Sequence, residues 1–165
     1  MEIDWNKYFD HIYVLSKPSS FDRRKILDKE FERIGLKNYQ YCYGFENNLI
    51  DYSKYYNNDI KKEHIMTTIG HYSIIKTAYE LGYENILIFE DDVRFLKDLN
   101  KIQEQLDIFQ NERDNIDFYY FDHITIANIL ICFFDAIYLN RHAMEYMIYC
   151  IENHSAIIDS YINVD

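Results

Sequence analysis

The chain has 165 residues, 48% of them hydrophobic and 18% aromatic, which excludes a disordered polypeptide and allows one buried core. A formal net charge of −11 argues against nucleic acid as a partner, because phosphate contacts need a basic face. One Pro and four Gly argue against a loop-rich or repetitive architecture and leave no Gly-rich loop to cradle phosphate. Cys42, Cys132 and Cys150 are odd in number and lack metal-site spacing, so reduced thiols are expected. No basic-then-apolar leader opens the chain and no stretch approaches bilayer-spanning length. The expectation is one soluble, cytoplasmic domain over residues 1–165, with peripheral membrane contact left open.

Residues 11–16, HIYVLS, read as the first strand. Pro18-Ser19-Ser20 breaks the chain, and Ser20 or Asp22 is placed to cap a helix running to Ile34. Ile26, Leu27, Phe31 and Ile34 give that helix its period, and Gly35 ends it. Residues 39–43 form a second strand candidate, and residues 46–63 a polar excursion. A second helix is expected over 65–81, with His71, Ile74, Ile75 and Ala78 on one face and Gly82 as its cap. After the strand at 86–89 come a helix over 99–109, strands at 116–121 and 129–139, a helix over 141–151 and a short strand at 157–162. This alternation predicts an α/β fold with a mainly parallel sheet flanked by helices. Ligands of such sheets bind outside the carboxyl ends of the strands, so the ends of the first and acidic strands belong to one cleft.

The acidic strand is the most telling segment. Ile86-Leu87-Ile88-Phe89 ends in Glu90-Asp91-Asp92, three carboxylates that repel one another unless a cation compensates them. Glu90 and Asp92 are two apart, so an extended backbone would point both to one face. Two hard oxygen ligands there suit Mg²⁺ or Mn²⁺, which would also hold a diphosphate. Asp91, expected on the opposite face, would orient the following loop or contact the cofactor. Arg23 and Arg24 sit at a helix N-terminus, where backbone amides already favour an anion, and can grip phosphate bidentately. Ser16, closing the first strand, joins them on the cofactor side. A solvated turn and two surface arginines are the plainer readings of the same residues.

Three segments resemble glycosyltransferase family 25, the lipopolysaccharide-biosynthesis glycosyltransferases: residues 12–27, IYVLSKPSSFDRRKIL; residues 70–95, GHYSIIKTAYELGYENILIFEDDVRF; and residues 135–148, DAIYLNRHAMEYMI, with IIDSYI at 157–162. The resemblance implies a GT-A-like (Rossmann-like) fold in compact form, a UDP-sugar donor and a divalent metal. His71 matches a family position, whereas Gly70 stands where the family usually has Ser. On this reading Glu90, Asp92 and His154 are candidate metal ligands, and Ser16, Arg23, Arg24, His71 and Asp91 are candidate cofactor-binding residues. Asp159 or Asp122 would be the base that deprotonates an acceptor hydroxyl. The expected activity is transfer of a hexose, galactose or glucose, to a glycan acceptor such as lipopolysaccharide. Two alternatives stay open: a shortened, non-catalytic domain that binds nucleotide or a partner, and a metal-dependent phosphohydrolase.

Overall fold

A computed structural model describes residues 3–44, 62–121, 124–126, 129–131 and 136–154. In chain order the elements are β1 (His11–Ser16), α1 (Phe21–Arg33), β2 (Gln40–Tyr43), α2 (Lys62–Glu80), β3 (Asn85–Glu90), α3 (Leu99–Glu112), β4 (Phe118–Tyr120), β5 (Ile124–Ile126), β6 (Ile129–Ile131), β7 (Ala136–Asn140) and α4 (Arg141–His154). A 3₁₀ turn at Trp5–Lys7 precedes β1. The expected strand at 157–162 and most of the expected polar excursion, residues 45–61, lie outside the described residues.

Five strands form the main sheet in the order β2-β1-β3-β7-β4. β1 is parallel to β2 and β3, whereas β7 runs antiparallel to β3 and β4. The sheet is therefore mixed, and the parallel character expected from sequence holds only on its β2-β1-β3 side. Antiparallel neighbours need no crossover helix, and along the chain β5 and β6 stand between β4 and β7. The single strand expected over 129–139 is in fact two. Residues 129–131 pair with β5 as a small separate ribbon, and residues 136–140 enter the main sheet. An apolar run does not by itself reveal such a break.

Strand alternation sends successive side chains to opposite faces. Ile12, Val14, Leu87 and Phe89 pack with Leu27 and Phe31 of α1 and Ile102, Leu106 and Phe109 of α3. Tyr13, Leu15, Ile86 and Ile88 pack with Ile74, Ile75 and Ala78 of α2 and Ala143 and Met144 of α4. The result is three layers, with α1 and α3 on one face and α2 and α4 on the other. Ile26 is exposed, so the buried stripe of α1 is Leu27, Phe31 and Ile34, one position narrower than the sequence suggested. The 3₁₀ turn, which no periodicity announced, delivers Trp5, Tyr8 and Phe9 to the α3 face. Phe9 stacks on Phe109, and the Trp5 indole donates to the Ile34 carbonyl.

Both helix-ending glycines behave as their positions require. Gly35 and Gly82 have φ of 73° and 83°, left-handed values that a side chain disfavours. Gly70 works differently: a Cβ there would stand 2.7 Å from Leu15 Cδ1. Glycine lets α2 lie close against β1, which brings the neighbouring His71 to the sheet. Arg33 donates to Glu30 and to the carbonyls of Leu96 and Lys97, tying α1 to the segment that follows β3. On the opposite face Lys76, Tyr72 and Glu152 join α2 to α4.

His11 generates a test of the packing. Its ring stacks 5.1 Å from that of Tyr83 at an interplanar angle of 9°. Burial lowers its pKa from the usual 6.5, with a side-chain hydrogen bond to Gln40 opposing the shift. The unfolded chain then binds a proton more readily than the folded one, so stability is full above about pH 6.5 and declines as pH falls through the folded value. Urea midpoints measured between pH 8 and pH 5 should drop for the wild type, and His11→Phe should remove part of that drop. Superimposable pH profiles for the two proteins would show that the ring does not titrate differently on folding.

Candidate active site

β1, β2 and β3 run in one direction, and their carboxyl ends open into a cavity of about 200 Å³ lined by Ser16, Lys17, Ser20, Arg23, Gly44, Met66, Thr67, Glu90 and Asp91, among others. The order β2-β1-β3 reverses the winding between β1 and β3, which is the switch point where open α/β sheets bind ligands. The N-terminal turn of α1 and the first half of α2 close the cavity from the two faces of the sheet.

Alternation along β3 explains which acid meets which helix. Glu90 continues the side of Ile86 and Ile88 and faces α2, where its Oε1 lies 3.7 Å from His71 Nε2. His71 is buried, and its Nδ1 is 3.0 Å from the Thr67 carbonyl one helical turn earlier. Asp91 continues the side of Leu87 and Phe89 and faces α1. It is 7% exposed, accepts a 2.8 Å hydrogen bond from Ser16 Oγ and pairs with Arg23 Nη1 at 3.0 Å. A buried carboxylate requires such partners. The strand itself stops at Glu90, and the Val93 amide donates back to the Glu90 carbonyl. That turn carries Asp92 to the α1 side, where its Oδ2 lies 3.1 Å from the same Arg23 nitrogen. Glu90 and Asp92 therefore do not share a strand face, because the backbone is no longer extended at Asp92.

The two arginines differ in what they hold. Arg24 donates to Ser16 Oγ and to the carbonyls of Lys17 and Pro18, so it clamps the loop between β1 and α1. Its guanidinium also lies 5.1 Å from the centre of the Tyr43 ring. Arg23 keeps an exposed guanidinium and spends it on two carboxylates. The hydrogen bond to Asp91, first among its contacts, raises its pKa further above the usual value. The network runs Arg24 to Ser16 to Asp91 to Arg23 to Asp92, and it joins the ends of β1 and β3 to the start of α1.

Of the residues singled out from sequence, Ser16, Arg23, Arg24, Asp91 and Asp92 form one connected group, and Glu90 and His71 form a pair across the same cavity. His154 is the last residue of α4, and Asp122 and Asp159 lie outside the described residues. Among the described residues no three His, Cys, Asp or Glu side chains gather as a preformed metal site. The donor chemistry nevertheless fits a hard cation, since Mg²⁺ is commonly held by one or two carboxylates with substrate phosphate oxygens completing its shell. Sequence reasoning missed Tyr43, an exposed aromatic at the end of β2 beside the cavity residue Gly44. The spacing of Tyr39, Tyr41 and Tyr43 was the available signal: the first two donate to Asp28, and the third passes beyond it.

A family model described as glycosyltransferase family 25 (LPS biosynthesis protein) matches residues 9–128, well over half of the chain. The chain belongs to glycosyltransferase family 25. It is a transferase, and glycosyl donor and acceptor are its classes of substrate. No curated protein matches it. Among solved structures it is similar to a crystal structure of a glycosyltransferase involved in the glycosylation of the major capsid of PBCV-1, with 15% identity, a TM-score of 0.49, and coverage of 88% of this chain and 68% of that chain. Among the described residues no helix is long and apolar enough to cross a membrane.

The two aspartates should separate on mutation. Asp91→Asn leaves Arg23 and Ser16 around a neutral, buried side chain and should cost roughly 1.5–3 kcal/mol, the range for hydrogen bonds to charged groups. Asp92 is nearly half exposed in its pairing, so Asp92→Asn should cost less than about 1 kcal/mol. Urea denaturation checks both, and equal losses would mean that Asp91 is not the structural partner of the pair.

Proposed function

We propose that this family 25 glycosyltransferase takes a hexose from a UDP-sugar and passes it to a hydroxyl of a glycan acceptor, with Mn²⁺ or Mg²⁺ at the donor. The observation that carries the reading is the meeting at one cavity of Glu90, Asp91, Arg23 and the N-terminal turn of α1, with Asp92 paired to the same arginine. Asp92 would hold the metal, whose chemistry when bound is to stabilise charge on the leaving diphosphate, and Glu90, on the α2 side of the cavity, would contact the donor. Arg23 adds a cation beside the diphosphate, and the first amides of α1 add the positive end of a helix dipole. Asp91 stays with Ser16 and keeps the ends of β1 and β3 in register. In a protein of net charge −11, a local arrangement of this kind must overcome a field that repels phosphate.

Tyr43 extends the site toward the nucleoside. Its ring is 58% exposed and is steadied on one side by Arg24, which is itself held by the loop. An aromatic surface of this kind suits a nucleobase. Deprotonation of the acceptor hydroxyl is assigned to Asp159 or Asp122, the carboxylates proposed from sequence. The hexose, galactose or glucose, and a lipopolysaccharide acceptor follow from the family reading.

Calorimetric titration of UDP tests the donor and the metal together. Affinity should fall at least about tenfold, equivalent to 1.4 kcal/mol, when EDTA replaces Mn²⁺. Unchanged affinity would remove the metal from the donor site. A second titration addresses the base: Tyr43→Ala should weaken UDP by roughly 1–3 kcal/mol, the scale of base stacking, while Tyr43→Phe should bind as the wild type does. Equal loss in both variants would point to the hydroxyl instead of the ring.

A further inference from the structure

One nitrogen of Arg23 serves two carboxylates. Nη1 lies 3.0 Å from Asp91 Oδ1 and 3.1 Å from Asp92 Oδ2, and Asp91 and Asp92 are consecutive residues. The two contacts are unequal in surroundings. Asp91 is nearly buried and also held by Ser16, while the Asp92 side chain is 45% exposed and that of Arg23 57%. A cation in the first turn of α1 opposes the helix dipole, and these two acids offset it together with Asp22 of the same turn. Arg24, three times bonded to the loop and Ser16, is not available to replace Arg23. The position a divalent cation would take against Asp92 is thus already served by a guanidinium.

We propose that Arg23 is the resident counter-cation of Asp92, displaced when a divalent metal binds and taken up by the donor diphosphate, so that metal and nucleotide bind cooperatively. The inference rests on the reading of Asp92 as a metal ligand. A monocation and a dication at one carboxylate repel each other, so the metal alone must compete with Arg23. A diphosphate supplies the negative charge that lets both cations remain, each with its own oxygens. Binding free energies are reciprocal, so nucleotide must then tighten metal to the same extent that metal tightens nucleotide.

The experiment is Mn²⁺ binding, read from the electron paramagnetic resonance of free Mn²⁺, for the full chain at constant ionic strength with and without UDP. Wild type should bind Mn²⁺ weakly alone and gain about fivefold or more with UDP, within the usual span of coupling between sites. Arg23→Gln should bind Mn²⁺ alone more tightly than wild type, and UDP should then add little. Arg23→Lys, which keeps the charge and protects the fold around Asp91, should leave Mn²⁺ alone unchanged but reduce the gain from UDP, because an ammonium lacks the fork that grips diphosphate. Mn²⁺ affinity in Arg23→Gln equal to or below that of wild type, or an undiminished UDP gain in Arg23→Lys, would overturn the displacement while leaving the metal site standing. Absence of Mn²⁺ binding in the wild type even with UDP would overturn the metal reading itself.

Discussion

The carboxylate of Asp91 is the constraint around which the active end of this protein is arranged. It is nearly out of water, and a buried charge is tolerated only when hydrogen bonds and an opposite charge replace its hydration. Ser16 from the end of β1 and Arg23 from the start of α1 supply those partners. Each partner is then fixed in turn: Ser16 accepts from Arg24, and Arg24 gathers the loop carbonyls of Lys17 and Pro18. Three segments distant in sequence meet because one carboxylate needs all of them.

From that arrangement follows a division of labour within the acidic triplet. Asp91 holds structure, and its neighbours on either side are left to face the cavity and solvent. Glu90 looks toward His71 on α2, and Asp92 looks toward Arg23 on α1. The triplet thus spans the gap between the two helical layers, with one acid committed to each face and one anchoring the centre. Repulsion among the acids is thereby divided among separate partners instead of concentrated at one point.

The opposite face contributes through closeness of packing. Gly70 lets α2 approach Leu15, which puts the buried His71 within reach of the end of β3. The family resemblance marks this position as one usually held by Ser, and the contact with Leu15 shows what glycine allows here. On the rim, Tyr43 remains exposed although Tyr39 and Tyr41, preceding it on the same edge, are drawn to Asp28. Burial, the larger cause, and the bond to Asp28 push the Tyr39 phenol up to about 12 and raise that of Tyr41 as well, so both remain hydrogen-bond donors. Tyr39, just before the edge strand, and Tyr41 within it hold this edge, and Tyr43 is presented.

Local patterning was sufficient for much of this molecule. Helical period marked α1, α2 and α3, with capping glycines after the first two, and the apolar run before Glu90 marked β3 as a central strand, because these signals depend only on residues close in sequence. The strand order, the reversal at β7 and the separation of β5 and β6 from the main sheet were decided by pairing between distant segments, which an apolar run does not specify. The acidic triplet and the two arginines were legible as candidates from residue type and from their places at a strand end and a helix start. Their contacts were decided in three dimensions: a turn at Glu90 moved Asp92 to the α1 side, loop carbonyls occupied Arg24, and burial made Asp91 the anchor. Residue type sets what a side chain is able to bind, and only the folded backbone decides which partner reaches it first.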